Sequence, residues 1–289
     1  MKTCISTYSY SKAIKKGEMT QYDCIDYNKK LGVDGLEIVI LDGDVPEGHT
    51  FASYVKLLCD HAREVGLEVP ILTMASDLYL RPEADFEMLK GYIDVAAENN
   101  IPMMRHDITF RFRGDEDVKS PYVITEKIAP IVRELAEYAE SKGVKTCSEN
   151  HGRVMQDSDR IEQFIAAVGH KNYGFLCDMS NFGGADEKSE VAVSRLIQHV
   201  CFVHGKDCFL KSGMQYNPGR LWGRTRGGNY HRPTIFGHGD VPCFQILSAL
   251  KEYGYDGWIS LEYEGWEDNL MALEIGAENL KRMIKDLEE

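Results

Sequence analysis

Eight short apolar runs of strand type alternate along the chain with amphipathic helical stretches, and this rhythm restricts the fold more than any other feature of the sequence. The runs are Cys4 to Tyr8, Gly35 to Ile40, Glu68 to Thr73, Met103 to His106, Val144 to Ser148, Tyr173 to Cys177, Val200 to His204 and Trp258 to Leu261. Strands joined by helical crossovers are parallel, and eight such units predict a closed (β/α)8 TIM barrel of the α/β class. An open doubly wound sheet is the structural alternative. The 289 residues suit one barrel, so the chain is read as a single domain over residues 1–289.

The helices carry legible punctuation. Thr50 precedes a run whose apolar positions recur at three and four and which stops at Gly66. Pro82, Pro121 and Pro242 each open a helical stretch, and Asp157 or Ser158 is placed to cap the one over 160–168. One segment breaks the rhythm: residues 208–239 form a long inserted loop rich in Gly, Arg and aromatic residues, with no acid between 211 and 232. Its functional reading is a lid over the barrel mouth that offers cations to an anionic or polyhydroxyl substrate. A solvated surface insertion is the alternative.

Formal net charge is −13, which opposes duplex nucleic acid or an anionic membrane as partner, because either demands a basic face. No apolar run approaches a membrane span and the N-terminus lacks a long apolar signal segment, so the expected location is cytoplasmic. Eight cysteines form no CxxC pair and several lie in strand-like runs; they read as buried thiols of a reducing compartment. A homo-oligomer is expected, with no interface assigned.

Chemistry gathers where the later runs end. VKTCSENH (144–151) closes on Glu149 and His151, GFLCD on Asp178, FVHGKD on His204 and Lys206, and ISLEYEG on Glu262 and Glu264. Residues two apart share one face of a strand, so each pair projects together. In a barrel these groups converge at the C-terminal rim, where several buried acids require a compensating cation. Three carboxylates with one imidazole make a mostly oxygen donor set, suited to Mn²⁺, Mg²⁺ or Co²⁺ and able to hold Zn²⁺.

SENH (148–151), CD (177–178), HGKD (204–207), GHGDVP (237–242) and SLEYE (260–264) resemble the sugar phosphate isomerase/epimerase superfamily of xylose isomerase-like TIM barrels, which includes D-tagatose 3-epimerase and inosose dehydratase and, more distantly, endonuclease IV. The resemblance covers nearly the whole chain. It implies one divalent metal ion, Mn²⁺ first, with Glu149, Asp178, His204 and Glu262 as its ligands, and a small carbohydrate whose adjacent hydroxyl and carbonyl oxygens chelate that metal. Two positions depart from the ketose epimerases: Asn181 stands where they commonly have a histidine, and Met155 stands near the place of their second strand-five acid. His151 beside Glu149 is closer to the dehydratase and lyase-type relatives.

The expected activity is a metal-dependent isomerase or epimerase that moves a proton α to a carbonyl through an enediolate, with Glu149 and Glu262 as the acid-base pair. A dehydratase or lyase on a keto-sugar, keto-glycoside or inosose is the alternative, with His151 as base and Lys206 assisting. An endonuclease IV-like nuclease and a non-catalytic sugar-binding barrel are the remaining rivals. Lys206, His106, Glu37, Arg232 and Trp222 are the substrate-binding candidates, with a buried structural hydrogen bond as the competing role for Glu37 and loop packing for Trp222. Arg105 and Asp107 share a face and are expected to form an internal ion pair. Asp240 is expected to cap the following helix.

Overall fold

The computed structural model describes residues 1–41 and 43–289. The described residues form eleven strands: β1 (Lys2–Ser6), β2 (Gly35–Val39), β3 (Glu68–Met74), β4 (Met103–His106), β5 (Lys145–Glu149), β6 (Tyr173–Asp178), β7 (Val200–Gly205), β8 (Asp207–Lys211), β9 (Gly223–Arg224), β10 (Tyr230–Thr234) and β11 (Trp258–Leu261). β1 to β7 and β11 form a closed parallel barrel, because β1 pairs with both β2 and β11. The expected eight strands all occur, and the open-sheet alternative fails on that closure.

Alternation along each strand separates two cores. Cys4, Ile71, Cys147, Leu176 and Phe202 point inward and plug the barrel. The opposite faces pack against the helices in a larger apolar layer that includes Ile5, Leu72, Met104, Phe175 and Val203. The helical punctuation acts as its chemistry dictates. Thr50 and Ser53 form a reciprocal capping box for helix Phe51–Val65, and Gly66 ends it at φ 76°. Pro82 and Pro121 occupy first-turn positions, and the Asp157 carboxylate accepts from the Arg160 amide at the start of Ser158–Val168.

Three expectations need correction. β1 lies two residues earlier than expected: the Ser6 hydroxyl accepts from the Tyr8 amide, and Thr7–Tyr10 turns into a 3-10 helix. The 208–239 stretch is only partly loop, since β8, β10 and β9 build a three-stranded antiparallel sheet. Asp240 does not cap helix Cys243–Tyr253; its carboxylate accepts from the Leu210 amide at 2.7 Å and ties down the lid sheet. The glycines of GHGDVP allow a close approach, because a Cβ on Gly239 would collide with the Asp207 carboxylate. That carboxylate accepts from the amides of Gly237, Gly239 and Val241.

Candidate metal centre and active site

Glu149 ends β5, Asp178 ends β6, His204 lies in β7, and Glu262 follows β11. All four project into the barrel, and one ligand atom from each lies within 4.8 Å of every other. Asp178 and His204 are fully buried and Glu149 nearly so. Asn150 points away from the cluster and braces the backbone between two strands, donating to the Asp178 carbonyl and accepting from its amide.

His204 is held from behind. Its Nε2 lies 3.1 Å from both oxygens of Glu37, and that carboxylate also accepts from Thr73 Oγ1 at 2.5 Å and Ser260 Oγ at 2.6 Å. This leaves Nδ1 turned toward Glu262, Glu149 and Asp178, at 3.6, 3.7 and 3.9 Å. Among the described residues neither His204 Nδ1 nor Asp178 Oδ2 makes a hydrogen bond although both atoms are buried, and Asp178 Oδ2 has only the Lys206 ammonium 3.4 Å away. Buried polar atoms without partners are rare, and two facing each other among carboxylates fit a site that closes around a cation. One nitrogen and three carboxylates suit a divalent ion of the Mn²⁺, Mg²⁺, Co²⁺ or Zn²⁺ kind.

Electrostatics agree with that crowding. Burial opposes a charged imidazole at 204, yet Glu37, Glu262 and Glu149 together raise its pKa well above the ordinary value. Burial pushes Glu262 up to about 7, against the pull of Lys206 and His204. Lys206 Nζ lies among acids, 2.9 Å from Glu264, 3.0 Å from Glu262 and 3.4 Å from Asp178.

Above the cluster is a cavity of about 240 Å³ lined by Tyr8, Thr73, Arg105, Asp107, Glu149, His151, Lys206, Glu262 and Glu264, among others. Arg105 pairs with Asp107 at 2.8 Å and also reaches Glu149 at 2.6 Å. Asp107 in turn accepts from His151 Nδ1 at 2.8 Å. Burial alone would depress the His151 pKa, but Asp107 and then Glu149 outweigh it and raise it to about 8. Asn181 donates to Glu149 Oε1 at 2.8 Å, while Met155 is buried in the apolar layer.

The structure thus brings Glu149, Asp178, His204, Glu262, His151 and Lys206 together. Glu37 lies beneath His204 and outside the cavity lining. His106 is buried on the outward face of β4, near Ser148 and the Tyr173 ring, and also does not line the cavity. Arg232 and Trp222 belong to the lid. The Arg232 guanidinium stacks over Phe209 at 5.0 Å and Trp222 at 5.7 Å, and approaches Glu267 at 3.9 Å. Two features were not read from the sequence: the Asp107–His151 bond, and His231 of the lid, whose pKa is lowered by burial and then by Lys206. The first joins residues 44 apart. The second lies in β10, whose sequence YHRPT carries no apolar rhythm to mark it as a strand.

A family model described as "Xylose isomerase-like TIM barrel" matches residues 25–283. The chain belongs to that family. It is similar to an inosose isomerase of Halalkalibacterium halodurans, 25% identical over 259 residues, or 82% of this chain and 80% of the relative. It is also similar to an inosose dehydratase of Yersinia enterocolitica serotype O:8, 24% identical over 145 residues, 48% of this chain and 47% of the relative. In fold it matches the crystal structure of IOLI protein with a binding zinc atom, with TM-score 0.74 and 18% identity over 99% of this chain and 98% of that one. Its relatives therefore include isomerases and dehydratases.

Proposed function

We propose that this protein is a divalent-metal-dependent isomerase or epimerase of an uncharged sugar, ketosugar or cyclitol, working by proton transfer α to a carbonyl. The observation that carries this reading is the four-residue cluster with its two buried ligand atoms that make no hydrogen bond among the described residues, opening onto a polar cavity. A cation held by Glu149, Asp178, His204 and Glu262, with Mn²⁺ as the first choice, would polarise the substrate carbonyl and stabilise the oxyanion that develops. Glu149 and Glu262 flank the cavity floor and are the proposed acid-base pair.

The charge around the cavity supports an uncharged substrate. Among the described residues, its two permanent cations are already committed: Arg105 to Asp107 and Glu149, Lys206 to Glu262, Glu264 and Asp178. Arg232 is likewise stacked and aimed at Glu267. Neither lining cation is left free to pair with a substrate carboxylate or phosphate. Tyr8, Thr73 and the carboxylates instead offer hydrogen bonds to hydroxyls.

A second reading, a dehydratase or lyase on a keto-sugar, keto-glycoside or inosose, is favoured by one observation. Asp107 holds Nδ1 of His151 in the cavity wall, which leaves Nε2, once the ring loses its proton at about pH 8, free to take a carbon-bound proton, with Lys206 placed to assist the departing oxygen. Incubation with Mn²⁺ in D₂O against ketoses, inososes and 3-keto-glycosides, followed by NMR, tests both readings. Deuterium exchange with epimerised product supports the first and elimination supports the second. Full activity after exhaustive chelation, or in Glu262→Gln, would overturn the metal-dependent reading.

A further inference from the structure

At the barrel end opposite the cavity, three sulfur atoms from three strands meet. Cys147 of β5 and Cys201 of β7 both border the inward plug, on either side of β6, with Met103 of β4 beside them. Gly174 is the β6 residue paired with Cys147, and a Cβ there would come within 2.6 Å of Cys201 Sγ. The glycine opens a notch between the strands that carry Cys147 and Cys201, and the Cys147 thiol beside it donates to the Met104 carbonyl at 3.9 Å. Cys201 also occupies an irregularity: Phe175 pairs with Val200 and Leu176 with Phe202, so Cys201 is the extra residue that the bulge turns inward. Its Sγ lies 3.8 Å from Met103 Sδ.

A disulfide is not the use of this pair. β5 and β7 are separated by a strand, so their backbones stand about 9 Å apart, beyond the ~6.8 Å that a disulfide spans. A metal ion bridges longer gaps. Three sulfurs bound at about 2.3 Å in trigonal geometry lie about 4 Å from one another, close to the observed Cys201–Met103 spacing.

We propose that Cys147, Cys201 and Met103 form a second metal site, selective for a soft monovalent ion of the Cu⁺ class. Two thiolates and a thioether are the donors such ions prefer, and the oxygen-rich cluster at the other end suits hard divalent ions. Binding releases two thiol protons and leaves a complex of net charge −1. Lys145, whose Cε would meet the same Gly174 Cβ at 3.0 Å, supplies the compensating charge. Met103 and Cys201 are partly exposed, so an ion has a route in from the barrel's N-terminal mouth.

The test is an anaerobic Cu⁺ titration against a chromogenic Cu⁺ chelator, repeated with Ag⁺ as a redox-inert probe. Wild-type protein should withdraw one equivalent. Cys201→Ser and the volume-conserving Met103→Leu should each weaken binding at least tenfold, while Cys59→Ser, on a distant helix, should leave it unchanged. Thermal melts of the metal-free variants establish that they are folded. Failure of wild type to compete for either ion, or equal affinity in Cys201→Ser or Met103→Leu, overturns the site.

Discussion

Asp107 Oδ1 accepts from His151 Nδ1 at 2.8 Å while the same carboxylate is clamped by Arg105. The bond fixes the imidazole's tautomer and leaves Nε2 as its free nitrogen. Under the dehydratase or lyase reading, in which His151 is the base, Asp107→Asn should lower kcat by about 10²-fold, the order assigned to one positioned acid-base group, with little change in KM. Metal content by elemental analysis should stay at the wild-type level, since Asp107 is not among the four clustered ligands. An unchanged kcat would remove His151 from the chemistry.

Glu37 makes the opposite prediction. It receives His204 Nε2, Thr73 and Ser260 and does not line the cavity, so its work is to aim Nδ1 at the cluster. Partners of this kind are typically worth about 10- to 100-fold in metal affinity. Glu37→Gln should weaken Mn²⁺ binding by that order in a competition assay, and excess metal should restore most of the activity. Loss of activity that no metal concentration rescues would show that Glu37 acts on substrate instead.

The barrel and its chemical rim were legible in the sequence because both obey local rules. Period-two alternation carries Glu149 with His151 and His204 with Lys206 to a shared face, and helix stops such as Gly66 mark where each unit turns back. What escaped depends on long-range geometry. The sequence offers a buried hydrogen bond as one role for Glu37, but its partner His204 lies 167 residues away. The lid sheet escapes the sequence because β9 is two residues long and β10, YHRPT, is largely polar, so no apolar rhythm announces either. Arg232 and Trp222, both expected at the substrate, stack on each other, a pairing across ten residues that the sequence does not announce.

The lid depends on Asp186, a residue at φ 61° whose carboxylate accepts from Thr225 Oγ1 at 2.6 Å, Asn229 Nδ2 at 2.8 Å and the Gly227 amide. Arg226 adds a second tether through Asp157 at 2.5 Å. Asp186→Ala should lower the local opening free energy by about 1 kcal/mol, making proteolysis within 212–229 roughly fivefold faster. The melting temperature of the barrel should hardly move, because the apolar core is untouched. Unchanged cleavage kinetics would mean that the remaining tethers, Asp157 and Asp240, hold the lid without Asp186.

His106 provides a pH test away from the metal cluster. Burial pushes its pKa down to about 4, and its Nε2 has no hydrogen-bond partner, so a proton gained there would be a buried, unpaired charge. In the unfolded chain the imidazole titrates near its ordinary value of about 6.5. Between those two values the unfolded state binds the extra proton, so acid favours unfolding: stability from this group is complete above about 6.5 and falls as pH drops toward 4. At 1.36 kcal/mol per pKa unit the loss approaches about 3 kcal/mol. Urea unfolding of wild type and His106→Phe at pH 7, 6, 5 and 4.5 should give curves whose stability difference shifts steadily in favour of the variant as pH falls. Parallel curves across that range would show that His106 takes up its proton as readily in the folded state as in the unfolded chain.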